Sequence, residues 1–121
     1  MKKVIIADDY EYWRKTIVEI VCSNDVKTEE VGNGSELVER VKLGKYNHIF
    51  TENDMPKMNG LEAISEIRKF NKETPIYLLS STDYKPESLE KQALEYGANG
   101  FINKLDDDFS ERIENVIKRH L

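Results

Sequence analysis

Cysteine, proline, glycine and an excess of basic charge are all missing or scarce in this chain of 121 residues. The one cysteine, Cys22, excludes an internal disulfide, and we expect it to be a buried apolar side chain in the reducing cytoplasm. The apolar stretch after Met1 is too short for a signal peptide or a membrane span. The net charge of -5 argues against a nucleic-acid-binding surface, which normally needs a basic stripe.

The length and composition predict one soluble globular domain. Hydrophobic residues make up 39% and charged residues 34% of the chain, and this length can bury a core without disulfides or metals. With 3 prolines and 6 glycines, the sequence contains no linker, repeat or low-complexity stretch. We therefore expect a single domain over residues 1–121, with no output domain after it.

Short apolar runs alternate with longer segments of helical period, which predicts an α/β fold with a parallel sheet covered on both faces. The predicted strands are 4–7, 27–31, 48–52, 76–80 and 100–104. Five predicted helices lie between and after them, with inward apolar positions at Trp13, Ile17, Ile20 and Val21; Leu37, Val38 and Val41; Leu61, Ile64 and Ile67; Leu89, Ala93, Leu94 and Tyr96; and Phe109, Ile113, Val116 and Ile117. Ser35 is the expected N-cap of the second helix.

Polar side chains end four of the predicted strands, and parallel strands bring these ends to one edge of the sheet, where open α/β sheets bind ligands. The residues are Asp8 and Asp9, Glu52, Ser80 and Ser81, and Lys104. Taken singly, each is more simply a turn, cap or solvated residue. Their coincidence predicts a site in which carboxylates, a hydroxyl and an ammonium converge.

Three motifs resemble the receiver domain of bacterial two-component response regulators. They are Val4-Ile5-Ile6-Ala7-Asp8-Asp9, Asp54-Met55-Pro56-Lys57-Met58-Asn59-Gly60 and Ala98-Asn99-Gly100-Phe101-Ile102-Asn103-Lys104, and the resemblance covers the whole chain in order and spacing. It implies a flavodoxin-like (βα)5 three-layer sandwich, doubly wound, with a five-stranded parallel sheet in the order 2-1-3-4-5.

The same resemblance implies a role for each residue of the site. Asp9, Glu52 at the phosphoacceptor position and the backbone carbonyl of Asp54 would hold Mg²⁺, with Asp8 acting through water. Ser80, rather than Ser81, matches the switch hydroxyl that swings toward the phosphoryl oxygens. Two further positions complete this set: Phe101 matches the aromatic that packs inward behind the switch, and Lys104 matches the cation that pairs with the phosphate.

This sequence departs from the family pattern at Glu52, where receivers have the aspartate that accepts the phosphoryl group. The longer side chain would place its carboxylate near the expected phosphoryl oxygens, close to Ser80 and Lys104, and it either imitates or blocks the phosphorylated state. We expect phosphorylation of Glu52 to be very slow or absent, because in-line transfer tolerates little misplacement.

Two further positions bear on the site. Asp54 adds a fourth carboxylate, and the resulting repulsion predicts that Mg²⁺ or another divalent cation still binds. Leu105 follows Lys104 where receivers usually have a proline after a cis peptide bond. The chain therefore either bears a strained cis bond or takes a different turn.

Three functions are compatible with these residues. The first is a single-domain receiver, not an enzyme, that binds a histidine kinase or phosphotransfer protein and a downstream target through its fourth helix, fifth strand and fifth helix. The second is an ordinary receiver seen as an engineered aspartate-to-glutamate variant. The third is a small Mg²⁺-dependent phosphohydrolase with Asp8 or Asp9 as nucleophile, although the chain lacks the Asp-x-Asp spacing and the cap domain of such enzymes.

Overall fold

The computed structural model describes residues 1–23, 25–82 and 85–119, in which five strands alternate with five helices. The elements are β1 Lys2–Ala7, α1 Glu11–Cys22, β2 Val26–Val31, α2 Gly34–Leu43, β3 His48–Glu52, α3 Gly60–Arg68, β4 Ile76–Ser80, α4 Pro86–Tyr96, β5 Gly100–Asn103 and α5 Phe109–Arg119. Within these described ranges, no helix is long and apolar enough to cross a membrane.

The strands form one parallel sheet in the order β2-β1-β3-β4-β5. The predicted doubly wound α/β fold is thus confirmed, including its strand order. The register pairs Glu52 with Leu79 and Ser80 with Asn103. The last residues of the central strands therefore lie at nearly the same level of the sheet.

Two apolar layers cover the sheet because successive strand residues point to opposite faces. In β1, Ile5 faces the layer formed with α2, α3 and α4, whereas Val4 and Ile6 face the layer formed with α1 and α5. All four predicted apolar positions of α5 are buried. The three-layer sandwich predicted from sequence is what the chain forms.

Two sequence-based expectations about side-chain burial are wrong. Cys22 is exposed at the end of α1, so it is not an apolar filler. Leu94 and Tyr96 on α4 are 51% and 44% exposed, while Ala93 is fully buried. Ala93 is the buried residue of α4, so this helix buries a narrower apolar face than its sequence predicted.

The N-cap of α2 is Asn33 and not Ser35. Its side chain accepts a hydrogen bond of 2.8 Å from the backbone N–H of Glu36, and α2 begins at Gly34. Asparagine is as good a cap as serine, so propensity alone did not separate the two positions.

Close backbone packing fixes the loop that follows β3. The backbone N–H of Gly60 donates to the carbonyl of Asn53 at 2.9 Å, and a Cβ on Gly60 would collide with the backbone oxygen of Glu52. The N–H of Gly34 donates to the carbonyl of Met58 at 3.0 Å. These contacts hold the backbone around Glu52 against two helices.

Candidate functional site

The polar strand ends do converge at the carboxyl edge of the sheet, around an open cavity of about 200 Å³. Its lining includes Tyr10, Trp13 and every polar side chain predicted for the site: Asp8, Asp9, Glu52, Asp54, Ser80, Ser81 and Lys104. Asp8 follows β1, Glu52 and Ser80 end β3 and β4, and Lys104 follows β5. The topology therefore assembles the site from four separate parts of the chain.

Lys104 lies between two carboxylates and is almost completely buried. Its Nζ is 2.6 Å from Oδ2 of Asp8 and 2.5 Å from Oε2 of Glu52. The side chains of Lys104, Asp8 and Glu52 are 2%, 1% and 8% exposed. Charges removed from water to this extent depend on one another, because each would otherwise be a buried unpaired ion.

The other oxygen of Glu52 accepts three hydrogen bonds. The Ser80 hydroxyl donates to Oε1 at 3.0 Å, and the backbone N–H groups of Asn53 and Asp54 donate to it at 2.9 and 3.2 Å. The hydroxyl and the ammonium thus both reach the glutamate, as its extra methylene predicts. Of the two serines considered from sequence, Ser80 is buried in this contact, while Ser81 is exposed.

The remaining oxygens of the site are less organised. Oδ1 of Asp8 accepts from the backbone N–H of Tyr10 at 2.9 Å, whereas Asp9 and Asp54 are exposed. In the part of the chain that the structure describes, no three carboxylate, histidine or cysteine side chains are grouped so that they could hold a metal ion. The donor types suit Mg²⁺, but Oδ2 of Asp8 and Oε2 of Glu52 both contact the Nζ of Lys104.

The turn that carries Lys104 is not a cis-peptide turn, since every peptide bond among the described residues is trans. Of the two turns considered from sequence, the chain takes the different one. The side-chain oxygen of Asn103 accepts from the backbone N–H of Leu105 at 3.0 Å and of Thr82 at 3.3 Å. The N–H of Lys104 donates to the carbonyl of Ser80 at 2.8 Å. Hydrogen bonds to Asn103 and to β4 therefore hold the turn that carries Lys104, with no proline at position 105.

Phe101 lies inside the fold on β5, next to β4. The residue is 6% exposed, and it pairs with Leu78 on β4. Its backbone carbonyl accepts a hydrogen bond of 3.1 Å from the Arg112 guanidinium on α5. The inward aromatic and the outer helix are thus directly connected.

Sequence reasoning missed two residues at the site. Trp13 was assigned only to the apolar face of α1, yet its ring lies against Lys104, with the Nζ 4.9 Å from the ring centroid. Arg14 donates to the backbone carbonyl of Asp8 at 2.9 Å and pairs with Glu30. Both residues follow the Asp8-Asp9 pair closely in the sequence, which was a signal for their place near the site but not for their contacts.

Comparisons with known proteins identify the family and agree with the fold. A family model described as the response regulator receiver domain matches residues 4–114. The chemotaxis protein CheY of Halobacterium salinarum is 32% identical over 103 residues, which cover 85% of this chain and 84% of that protein. The phosphohydrolase alternative receives no support from these matches.

Two other matches add a larger relative and a solved structure. A protein-glutamate methylesterase/protein-glutamine glutaminase of Clostridium acetobutylicum is 33% identical over 122 residues, covering 97% of this chain but 35% of that protein. The chain therefore spans about a third of the length of this relative. The structure of TrrA from Thermotoga maritima in complex with Mg²⁺-BeF has a TM-score of 0.84 and 25% identity, with all of both chains covered.

Proposed function

This chain belongs to the response regulator receiver domain family of two-component signalling, and we propose that Glu52 holds it in a state like the phosphorylated one. In that state the domain signals by binding another protein, without chemistry of its own. The observation that carries the proposal is the hydrogen bond from Ser80 to Glu52 beside the Glu52–Lys104 ion pair.

The contacts of Glu52 are those that a phosphoryl group on a shorter acceptor would need. A phosphoryl group offers several oxygens to a hydroxyl, an ammonium and backbone N–H groups. Here the two oxygens of one carboxylate receive all of these donors, from Ser80, Lys104, Asn53 and Asp54. The glutamate carries one negative charge where a phosphoryl group carries nearly two, so the imitation is one of position more than of charge.

Glu52 is poorly placed to accept a phosphoryl group itself. Both of its oxygens already accept hydrogen bonds, and its side chain is 8% exposed. A phosphodonor would have to displace Lys104 or Ser80 before an oxygen could attack in line. We therefore infer that histidine kinases, with which receiver domains interact in general, do not phosphorylate this residue at a useful rate.

Mg²⁺ binding remains part of the proposal, through Asp8, Asp9, Glu52 and Asp54. Four carboxylates and one lysine line the cavity, and this excess of negative charge favours a divalent cation. Asp9 and Asp54 supply the outer carboxylates, and water completes the shell. Because Asp8 and Glu52 are held by Lys104, we expect binding only in the millimolar range. When bound, the cation would neutralise charge at the site.

The surface proposed for the target protein is the face formed by α4, β5 and α5. A cavity of about 220 Å³ lies there, lined among others by Glu90, Gly100, Phe101, Arg112 and Arg119. The switch connects to it through contacts in the fold, since Ser80 pairs with β5 and Phe101 binds Arg112. The proposal places the domain in the cytoplasm, where the exposed thiol of Cys22 stays reduced.

The proposal is tested by comparing the natural chain with its Glu52→Asp variant. Each is incubated with Mg²⁺ and acetyl phosphate, and the intact mass is measured. We expect a phosphoryl adduct only in the variant. Backbone amide NMR spectra are then recorded for the natural chain and for E52D with and without Mg²⁺ and fluoroberyllate. The β4 and β5 amides of the natural chain should match the treated variant more closely than the untreated one.

Two results would contradict the proposal. The first is a phosphoryl adduct on Glu52 of the natural chain. The second is an untreated natural chain whose β4 and β5 amides coincide with those of untreated E52D. Glu52→Gln is the matched control, since it retains the length of the side chain and removes the charge that attracts Lys104.

A further inference from the structure

The Lys104 ammonium lies over the indole ring of Trp13. The Nζ lies 4.9 Å from the ring centroid, and both residues line the site cavity. An aromatic face carries negative electrostatic potential and attracts a cation at this distance, most strongly for tryptophan. Lys104 is therefore in contact with three partners, namely two carboxylates and one ring.

Two neighbouring aromatic residues hold the ring in this orientation. Phe109 of α5 meets Trp13 edge to face, with centroids 5.6 Å apart and an interplanar angle of 79°. Tyr12 meets it at 5.7 Å and 79°. Such edge-to-face contacts are a preferred geometry for aromatic pairs. The position of the ring over Lys104 is thus determined by α1 and α5 together.

The ammonium needs a third partner. It has three N–H donors, and Asp8 and Glu52 each accept one at 2.6 and 2.5 Å. With the lysine side chain only 2% exposed, water has little access to the ammonium, and the Trp13 ring lies 4.9 Å from the Nζ. Without an aromatic face there, the lysine would gain by turning toward the solvent in the cavity and away from one of its carboxylates.

We propose that Trp13 is a positioning residue that keeps Lys104 on Glu52 and so maintains the Glu52–Ser80 contact. The inference rests on the proposed role of Glu52, and it adds that this role depends on an aromatic side chain at position 13. Glu52 alone is then not sufficient for the proposed state. Its Oε2 keeps the contact with Lys104 only as long as the ring keeps the ammonium in place.

The test compares Trp13→Leu, which keeps an apolar side chain, with Trp13→Phe, which keeps an aromatic face. The purified chain is treated with an amine-acylating reagent at neutral pH, and modification of Lys104 is followed by peptide mass spectrometry. We expect Lys104 to react about tenfold faster in W13L and within about threefold of the natural rate in W13F. Tyr96→Leu, on the distant α4, is the control and should leave the rate unchanged.

A second readout separates positioning from packing. The amides of Asn53 and Asp54, which donate to Glu52, are monitored by NMR. W13L should move them in the natural chain but not in a Lys104→Met background, where no ammonium remains to be positioned. Equal shifts in both backgrounds, or equal labelling of Lys104 in W13L and W13F, would overturn the proposal. The labelling comparison decides the matter even if K104M does not fold.

Neither measurement needs a kinase, a target or a phosphodonor. A failure of the Trp13 proposal therefore leaves the comparison of the natural chain with E52D intact. Conversely, a phosphoryl adduct on Glu52 would refute the proposed function while Lys104 could still be held by the ring.

Discussion

Replacing Lys104 by methionine removes the cation of the buried group that it forms with Asp8 and Glu52, and the loss of stability can be worked out from the contacts of this group. The change deletes two charge-assisted hydrogen bonds of 2.6 and 2.5 Å and leaves two carboxylates facing each other. Their exposed fractions are 1% and 8%, so water screens them poorly. Removing one partner from a buried ion pair costs about 3–5 kcal/mol, and we expect a loss in that range.

Urea unfolding at pH 7, followed by circular dichroism, measures the loss. With a urea dependence of about 2 kcal/mol per molar for a domain of this size, the midpoint should fall by roughly 2 M. Glu52→Gln should cost less, about 1–3 kcal/mol, because Lys104 keeps Asp8 as its partner. The double variant should lose less than the two single losses added together, since the lysine and the glutamate act on each other.

The combination of Asp8→Asn, Glu52→Gln and Lys104→Met provides the sharpest control. It removes every charge of the group while keeping its volume, so much of the stability lost in K104M should return. A loss of less than about 1 kcal/mol in K104M, or full additivity with E52Q, would mean that these ions behave like a solvated surface pair. That result would refute the reasoning.

Three further predictions concern titration and metal binding. Burial, and then the hydrogen bond to Glu29, raises the pKa of Tyr46 to about 12. This tyrosine therefore stabilises the fold below pH 10, and the contribution is lost as the pH rises toward 12. In Tyr46→Phe, the free energy of unfolding should depend less steeply on pH in that window. The hydrogen bond from Lys3, and then that from Tyr46, lowers the pKa of Glu29. The contribution of Glu29 to stability is therefore present above pH 4.5 and is lost as the pH falls below that value. In Glu29→Gln, the free energy of unfolding, followed by fluorescence, should depend less steeply on pH in the acid range. Titration with Mg²⁺ to several millimolar should change Trp13 fluorescence, and Asp9→Asn should weaken the response; no change in the natural chain would contradict metal binding.

The hydrophobic pattern of the sequence was sufficient to predict which segments form strands and which form helices. Strand β3 was predicted with its final bounds, because its apolar run ends at a charged residue, and all four apolar positions of α5 repeat with helical period. The boundary of α2 was missed because Asn33 and Ser35 are equally good caps. Pattern identifies elements better than it identifies their first residue.

The site was predictable where topology determines it and not where side-chain packing does. Parallel strands necessarily bring Glu52, Ser80 and Lys104 to one edge. Which oxygen faces which donor depends on rotamers, however, and the direct contact of Asp8 with Lys104 could not be read from spacing. The contact of Trp13 with Lys104 joins residues that are distant in the chain, so one sequence offered no direct signal for it.

The carboxylate of Glu52 is part of the chain, so it is not added or removed during signalling as a phosphoryl group is. A phosphoryl group on an aspartate is added and then hydrolysed, so an ordinary receiver measures how recently its kinase was active. The hydrogen bond between Glu52 and Ser80 forms when the domain folds and has no chemical lifetime. An output based on it has no memory of a stimulus and no decay. Its strength would follow the number of folded copies in the cell, which makes synthesis and degradation the means of turning it up or down.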